Sequence, residues 1–421
     1  MIYLLRVIRY HKNNNKYNLM VLSKRRVIFE FWPFFIYKFL KGACFITSIT
    51  FFLYFREKGI DFFKASFLLS ILFLLPIFFE IITGAIADTF GRKFSVLTGI
   101  AGEILILLAI IYTANYFLLI GFFVLWGIIT TFTTGADDAW AIELAPDELK
   151  EEYLDNFYPL SSSFYSVGMI VAGLLSGWLL FFSNNQAVWV ARLIIIIITL
   201  LVLSFTKENF KKEKDGSSKF FQLKASLKKG YEFFIINANT KNIILGEFFA
   251  TIALVGIGSV AMQKYLLDSG LKESNWGLVY SLSAIAGIFI PLLAIGMTKK
   301  FSNQKIYLII VYASQIILYL SASLLLNPLF AVLLIFLHNS LEDAFNPVNS
   351  AFFQKEIPSK IRATLGSLRA ASLGLAAFSG TILGGFLTNY SSGQASIFGL
   401  ALLIIPAIIF YAKIKTPALQ N

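Results

Sequence analysis

Apolar runs of membrane-spanning length follow one another along almost the whole chain. They limit the fold more than any single residue does. A hydrocarbon core about 30 Å thick takes roughly 20 apolar residues in helical form. Inside it, only helices or closed barrels satisfy their own backbone hydrogen bonds. Such runs extend from Phe31 to Phe55, Ser66 to Ala87, Phe94 to Thr113, Asn115 to Pro146, Tyr158 to Phe182 and Ala187 to Phe205. After a polar stretch, Lys207 to Lys241, a second series begins near Asn242, Asn275 and Ile306, after Pro328, after Arg362 and near Ser396. The pattern predicts an all-α membrane protein of twelve transmembrane helices in two bundles, 31–206 and 242–412. A cytoplasmic linker, 207–241, joins them, with a basic tail at 1–30 and a short tail at 413–421.

Charge sets the orientation and removes other classes. Only 14% of the residues are charged, whereas soluble domains run nearer a quarter. The net charge of +12 could suggest nucleic acid, but the basic residues fall in short loops between apolar runs, which is a topology signal. Loops on one side hold most of the Lys and Arg; the other side has those of Arg56–Lys64 and Lys264–Lys272. Both termini are therefore predicted to be cytoplasmic. A single Cys44 and two histidines, His11 and His338, offer no cysteine framework and no clustered metal ligands. No Gly-rich phosphate loop precedes a helix, so neither a cofactor nor an enzyme activity is expected. The basic N-terminus is too interrupted for a signal peptide, and Met20 is a second candidate start. Phe220–Phe234 is predicted to lie on the membrane as an amphipathic helix.

The loop between the second and third runs reads Gly84-Ala-Ile-Ala-Asp88-Thr-Phe-Gly91-Arg92-Lys93. Gly91 lets the backbone bend tightly between the acid and the basic pair. The spacing Gly84-x-x-x-Asp88-x-x-Gly91-Arg92-Lys93, at this place in the chain, resembles the loop 2–3 signature of the major facilitator superfamily. That resemblance implies two pseudo-symmetric six-helix halves, alternating access, and a central cavity lined by helices 1, 4, 7 and 10. It also implies a gate in which Asp88 faces the start of helix 11 near Ile361–Thr364 and Arg92 reaches Glu143.

The halves also repeat internally. Gly173-x-x-x-Gly177 recurs as Gly380-x-x-x-Gly384, and Glu143-Leu-Ala-Pro146 as Glu356-Ile-Pro358, about 210 residues apart. Aligned on Phe90 and Phe301, the second copy of the loop has Lys299 for Asp88, so its acid is lost. The run Gly135-Ala-Asp137-Asp138-Ala-Trp140 is similar to helix 4 of macrolide-efflux-like members. Helix 4 lacks the arginine, and helix 5 the Gly-Pro pattern, of many drug/proton antiporters.

Ionisable groups inside hydrocarbon are costly and are functional candidates by default. Here they are Lys38 and Lys41 in helix 1, Asp137 and Asp138 in helix 4, Glu247 in helix 7, and His338, Glu342 and Asp343 in helix 10. Lys38 and Lys41 share a helix face and lie near the level of Asp138. Their pairing is read either as a structural tie between helices 1 and 4 or as part of a substrate site. Glu342 and Asp343, near mid-membrane, are read as proton-coupling or substrate-contacting groups, or as partners of Arg369. His338, one turn from Glu342, is a packing residue or a proton relay. Glu80 and Glu103 are read as structural. Trp32, Tyr37, Trp126, Trp140 and Tyr280 are each read as a packing residue or as a wall of an aromatic cavity.

The expected function is secondary active transport, as a monomer in a prokaryotic inner membrane. Proton-coupled efflux of a small amphipathic compound stands first, with protons or another ion as coupling partner. Uptake of an anionic or zwitterionic metabolite is the alternative, and a membrane sensor or lipid-handling protein a third.

Overall fold

The computed structural model describes residues 31–144, 150–209, 232–300, 303–358 and 361–415. The expectations for the basic tail, Met20, most of Phe220–Phe234, the loop copy at Lys299–Ser302 and the end of the C-terminal tail lie outside the described residues and side chains.

Among the described residues the main helices group into twelve units in sequence. They are α1 (Phe31–Ile49 with Phe51–Glu57), α2 (Phe62–Leu74 with Pro76–Phe90), α3 (Arg92–Tyr112), α4 (Tyr116–Thr130 continued by Ala136–Glu143), α5 (Lys150–Phe182) and α6 (Asn185–Ser204). Then come α7 (Ala238–Asp268), α8 (Glu273–Lys300), α9 (Gln304–Leu324), α10 (Pro328–Glu356), α11 (Arg362–Tyr390) and α12 (Gly393–Ala412). Eight are long and apolar enough to cross a membrane, and ten if the bent pairs in α1 and α2 each count as one span. Outside that number, the first piece of α4, Tyr116–Thr130, is a shorter apolar helix.

The sequence marks the starts of these helices chemically. Asp61, Asn115, Asn184, Asn237, Asn303, Asn327 and Ser392 each accept a backbone N–H from the first turn, satisfying donors that have no partner inside the helix. Pro76 begins the second piece of α2, where the axis turns by 43°. Gly91, at φ 105°, makes the sharp link to α3 that its position predicts. The ammonium of Lys58, between α1 and α2, donates to the carbonyls of Ile110 (2.7 Å), Ile111 (3.0 Å) and Thr113 (2.6 Å). A cation thus closes the C-terminal end of α3, and burial there pushes its pKa down.

The buried apolar residues fall mainly into two large clusters, one drawn from residues 31–203 and one from 243–414. Each helical bundle therefore has its own core. The clusters exchange members at one level: Ile49 and Leu53 of α1 belong to the second, and Val260 of α7 to the first. Side chains such as Phe181, Leu105 and Leu329 remain exposed outside them, as a lipid-facing surface requires.

Among the described residues, the bundles meet along helix pairs that can be followed from the Lys58 face inward. Here α5 and α8 approach through Gly173 and Gly277, where a Cβ on either would strike the other's carbonyl. Ser281 Oγ donates to Ile170 O at 2.8 Å across the same seam. The helices α2 and α11 meet through Ser66 with Gly385 and through Phe73 and Ile77 with Gly374. Continuing that antiparallel register toward the Arg92 face would set Gly366 opposite Gly84. Neither glycine has any atom within 4 Å of where a Cβ would sit. Both glycines thus face open space on the Arg92 side, while the named contacts of α2 with α11 lie toward the Lys58 face.

Candidate functional site

The break in α4 builds the first charged cluster. Gly135, at φ 75°, starts a new short helix, and Asp137 and Asp138 occupy its first turn, where the helix dipole favours acids. One oxygen of Asp137, Oδ2, accepts from Tyr37 Oη (3.0 Å), Lys38 Nζ (3.1 Å) and Lys41 Nζ (2.9 Å). Lys38 also lies 2.7 Å from Asp138 Oδ1. The pairing of helices 1 and 4 expected from depth is present with both acids. Asp137 is 4% exposed, against 42% for Lys41, so the acid is the buried anchor and Lys41 the wet end.

Behind this cluster lies a second pair. Arg192 of α6 donates to Glu103 of α3 at 2.7 Å, to Thr47 Oγ1 at 2.7 Å and to Cys44 O at 3.2 Å. Its guanidinium sits 4.8 Å from the ring centre of Trp126. A cavity of about 310 Å³ joins the two clusters, with Tyr37, Lys41, Glu103, Thr133, Tyr165 and Arg192 among its walls. A further cavity of about 410 Å³ extends from Lys38, Lys41 and Asp138 to Ser161, Ser162 and Tyr165 on α5.

In the second half, Glu247 of α7 binds Arg369 of α11 through two nitrogens; Arg369 Nε lies 3.0 and 2.7 Å from the two carboxylate oxygens, and Nη2 contacts Oε1. Asn349 of α10 donates to the same carboxylate, and Tyr411 Oη donates to Asn349 Oδ1 at 2.6 Å. Lys38 and Glu247, like Asp138 and Asn349, stand about 210 residues apart. The same place in the two halves therefore carries a cation facing an acid in one, and an acid facing an amide and an arginine in the other. A cavity of about 120 Å³ adjoins this group, bounded by Thr251, Gln315, Glu342 and Asn346.

Two carboxylates stand apart. Arg369, read as a possible partner of Glu342 or Asp343, is taken by Glu247 instead. Among the described residues, the ion-pair contact of Glu342 is His338 Nε2 at 3.9 Å. The other ring nitrogen of His338 shares a hydrogen bond with Tyr319 Oη at 2.6 Å. Asp343 lies against Gly287 of α8.

Of the contacts the motif implies, that of Arg92 with Glu143 is present. Arg92 pairs with Asp88 at 2.6 Å and with Glu143 at 3.3 Å. Lys93 Nζ donates to the carbonyls of Ser204 and Thr206 at 2.8 Å. Glu208, which the sequence placed in a linker, accepts the Lys93 N–H at 2.8 Å and crowds Gly91. Gly84 faces open space.

The candidate aromatics divide between cavity wall and packing. Trp140 is fully buried against Phe34, with ring centres 5.2 Å apart, and its Nε1 donates to Lys207 O. Trp126 is buried beneath Arg192, while Trp32 is exposed and Tyr280 packs on Phe45. Large apolar rings near a bundle axis gain more from filling the core than from lining a wet cavity; Tyr37 is the exception. Sequence reasoning also missed Arg192, Arg369 and Asn349 as site members. Their signal was charge balance: each intramembrane Lys, Arg or acid needs a partner, and the repeat offset shows where to seek it.

A family model described as Major Facilitator Superfamily matches residues 34–337. The uncharacterized MFS-type transporter YxaM of Bacillus subtilis (strain 168) is 24% identical over 384 residues, covering 90% of this chain and 92% of that protein. The multi-drug resistance efflux pump PmrA homolog of Lactococcus lactis subsp. lactis (strain IL1403) is 25% identical over 337 residues, covering 78% and 79%. The crystal structure of the nucleoside transporter NupG superposes with a TM-score of 0.71 at 16% identity, covering 94% of this chain and all of that one. The peptide transporter POT in complex with sulfate gives 0.70 at 16% identity, covering 91% and 94%. At such identities the structural likeness speaks for the fold alone.

Proposed function

Because the chain belongs to the major facilitator superfamily, we propose that it is a secondary active transporter working by alternating access, exporting a small amphipathic compound in exchange for protons. The bundles 31–206 and 242–412 rock about a site between them. With the Lys- and Arg-rich loops in the cytoplasm, the open space about Gly84 and Gly366 on the Arg92 side is read as the inward-facing opening in a prokaryotic inner membrane, and the protein acts as a monomer. Export is supported by the likeness to the multi-drug efflux relative. Coupling rests on one observation: among the described residues, neither Glu342 nor Asp343 has a Lys or Arg within ion-pair distance. A proton is the counter-charge such groups can take up and release during a cycle.

The test is proton flux in proteoliposomes carrying Glu342→Gln with Asp343→Asn. Flux driven by substrate is expected to fall at least about ten-fold, and unchanged coupling in the double variant would end the assignment. A second reading, uptake of an anionic or zwitterionic metabolite, is favoured by Lys41 and Arg192 in the wall of the 310 Å³ cavity. The sign of accumulation in cells under an imposed pH gradient separates the two. No flux across a substrate panel would favour a sensor or lipid-handling role.

The Asp88–Arg92–Glu143 group is the natural latch for the opposite, outward-facing state. Asp88→Asn should slow turnover about ten-fold while substrate affinity stays within about two-fold. Untouched transport rates would reduce the loop to a topology signal.

A further inference from the structure

Helix α1 is interrupted at Thr50, where its axis turns by 48°. In an unbroken helix the N–H of Phe52 would donate to the carbonyl of Ser48. Here that bond is replaced by a side chain from the other half. Gln263 of α7 accepts the Phe52 N–H on Oε1 at 3.2 Å and donates from Nε2 to Ser48 O at 2.9 Å. A primary carboxamide offers one acceptor and one donor, so it fits between the two backbone groups as an inserted peptide unit. An inserted side chain in the i→i−4 ladder is a recognised cause of a kink.

The surroundings favour this arrangement only while the halves are closed at the Lys58 face. Gln263 is 2% exposed, and its amide would be left without partners there if α1 moved away. Ile49 and Leu53, on either side of the break, are buried in the second half's core, while Val260 of α7 is buried in the first half's. One turn earlier on the same line of α1, Cys44 O accepts Arg192 of its own half, and the Ser48 N–H bonds Phe45 O instead. The ladder 44–48–52 is thus opened twice, first by the residue that pairs with Glu103 in the cavity wall and then by Gln263 across the seam.

We propose that Gln263 is the positioning residue that couples closure of the Lys58 face to the bend in α1. When the halves close there, its carboxamide takes the place of the Phe52–Ser48 bond and fixes the bend. When they part, it withdraws, the helical bond re-forms and α1 straightens. The proposal rests on the alternating-access reading, and adds which residue clasps the closed face and which helix changes shape.

Spin-label distances in the full-length chain in nanodiscs test it, on a Cys44→Ser background. Labels at Ser183→Cys and Leu326→Cys, exposed sites at the Lys58 face of the two halves, report opening. Gln263→Leu, and Gln263→Met as a second variant, should raise the long-distance population about ten-fold, since both bonds of the clasp are lost. A second pair, Trp32→Cys with Arg56→Cys, spans α1. Straightening a 48° bend in a helix rising about 1.5 Å per residue should lengthen that distance by about 2 Å. An unchanged opening population in both variants overturns the proposal. So does opening without lengthening of α1, since Gln263 would then be a clasp with no hold on the helix. The wild-type distribution judges the underlying reading separately: one short distance, unmoved by pH or substrate, counts against alternating access whatever the variants do.

Discussion

Arg369→Ala should be the most destabilising single change in the second half, costing about 3–5 kcal/mol and lowering the melting temperature by about 10 °C. Glu247 is 4% exposed and Arg369 18%, so the pair is out of reach of bulk water and screened little by salt. Removing the arginine strips the carboxylate of its bidentate partner and leaves it the Asn349 amide as a donor. The strain would pass along the chain of contacts, since Asn349 is itself held by Tyr411 at the end of α12. Three helices, α7, α10 and α11, therefore lose a common tie, and α12 loses its anchor to them. Unfolding of detergent-purified protein, followed by intrinsic fluorescence, measures the effect. The companion variant Arg369→Gln with Glu247→Gln removes both charges together and should recover most of the loss, because replacing a buried pair costs far less than halving it. If Arg369→Ala melts within about 2 °C of the wild type, Glu247 has found another counter-charge and the tie is not structural.

The helices were legible because hydrocarbon imposes one answer on each long apolar run. Their starts were legible to within a few residues because Asn and Asp caps mark them: α4 follows Asn115 and α10 follows Asn327 as read from sequence. The Lys38–Asp137–Asp138 cluster could be foreseen from depth alone, since helices 1 and 4 run in opposite directions and carry their charges at one level. The Arg92–Glu143 contact came from resemblance, and no spacing argument would have supplied it. What stayed hidden were interactions between residues far apart in the chain with no shared periodicity. Arg192 finds Glu103 across 89 positions, and Arg369 pairs with Glu247 across 122. Gln263 was invisible for a different cause. A glutamine on a helix reads as an ordinary polar residue until the break in its neighbour is known. The tryptophans could be read either as cavity wall or as packing residues, and burial decides for packing at Trp126 and Trp140, where the core has first claim on the ring.

Asp137→Asn should have the largest effect in the first half, and its partners show why. Three donors converge on one carboxylate oxygen, while the other oxygen accepts the Asp138 N–H at 2.8 Å. The wild-type cluster balances two ammonium groups against two carboxylates. With Asn at 137, the amide can still receive the Tyr37 hydroxyl, but Lys38 and Lys41 share Asp138 alone and the cluster carries an uncompensated positive charge inside the bundle. The expected cost is about 3 kcal/mol, with transport lost to a larger degree than stability because Lys38 and Lys41 also face the open cavity. Charge balance, not the identity of position 137, is the claim, and it makes a prediction the single variant cannot. Lys41→Met added to Asp137→Asn returns the count to one cation and one acid, with Lys38 still 2.7 Å from Asp138. The double variant should therefore be more stable than Asp137→Asn by about 1–2 kcal/mol, a coupling within the range for contacting residues. Thermal unfolding of the wild type, both single variants and the double closes the cycle. Strict additivity would mean that the two lysines never depended on Asp137 for their charge. If stability returns in the double variant and transport does not, Lys41 is needed for the substrate itself, which is the result that would move the balance from export of an amphipathic compound toward uptake of an anionic one.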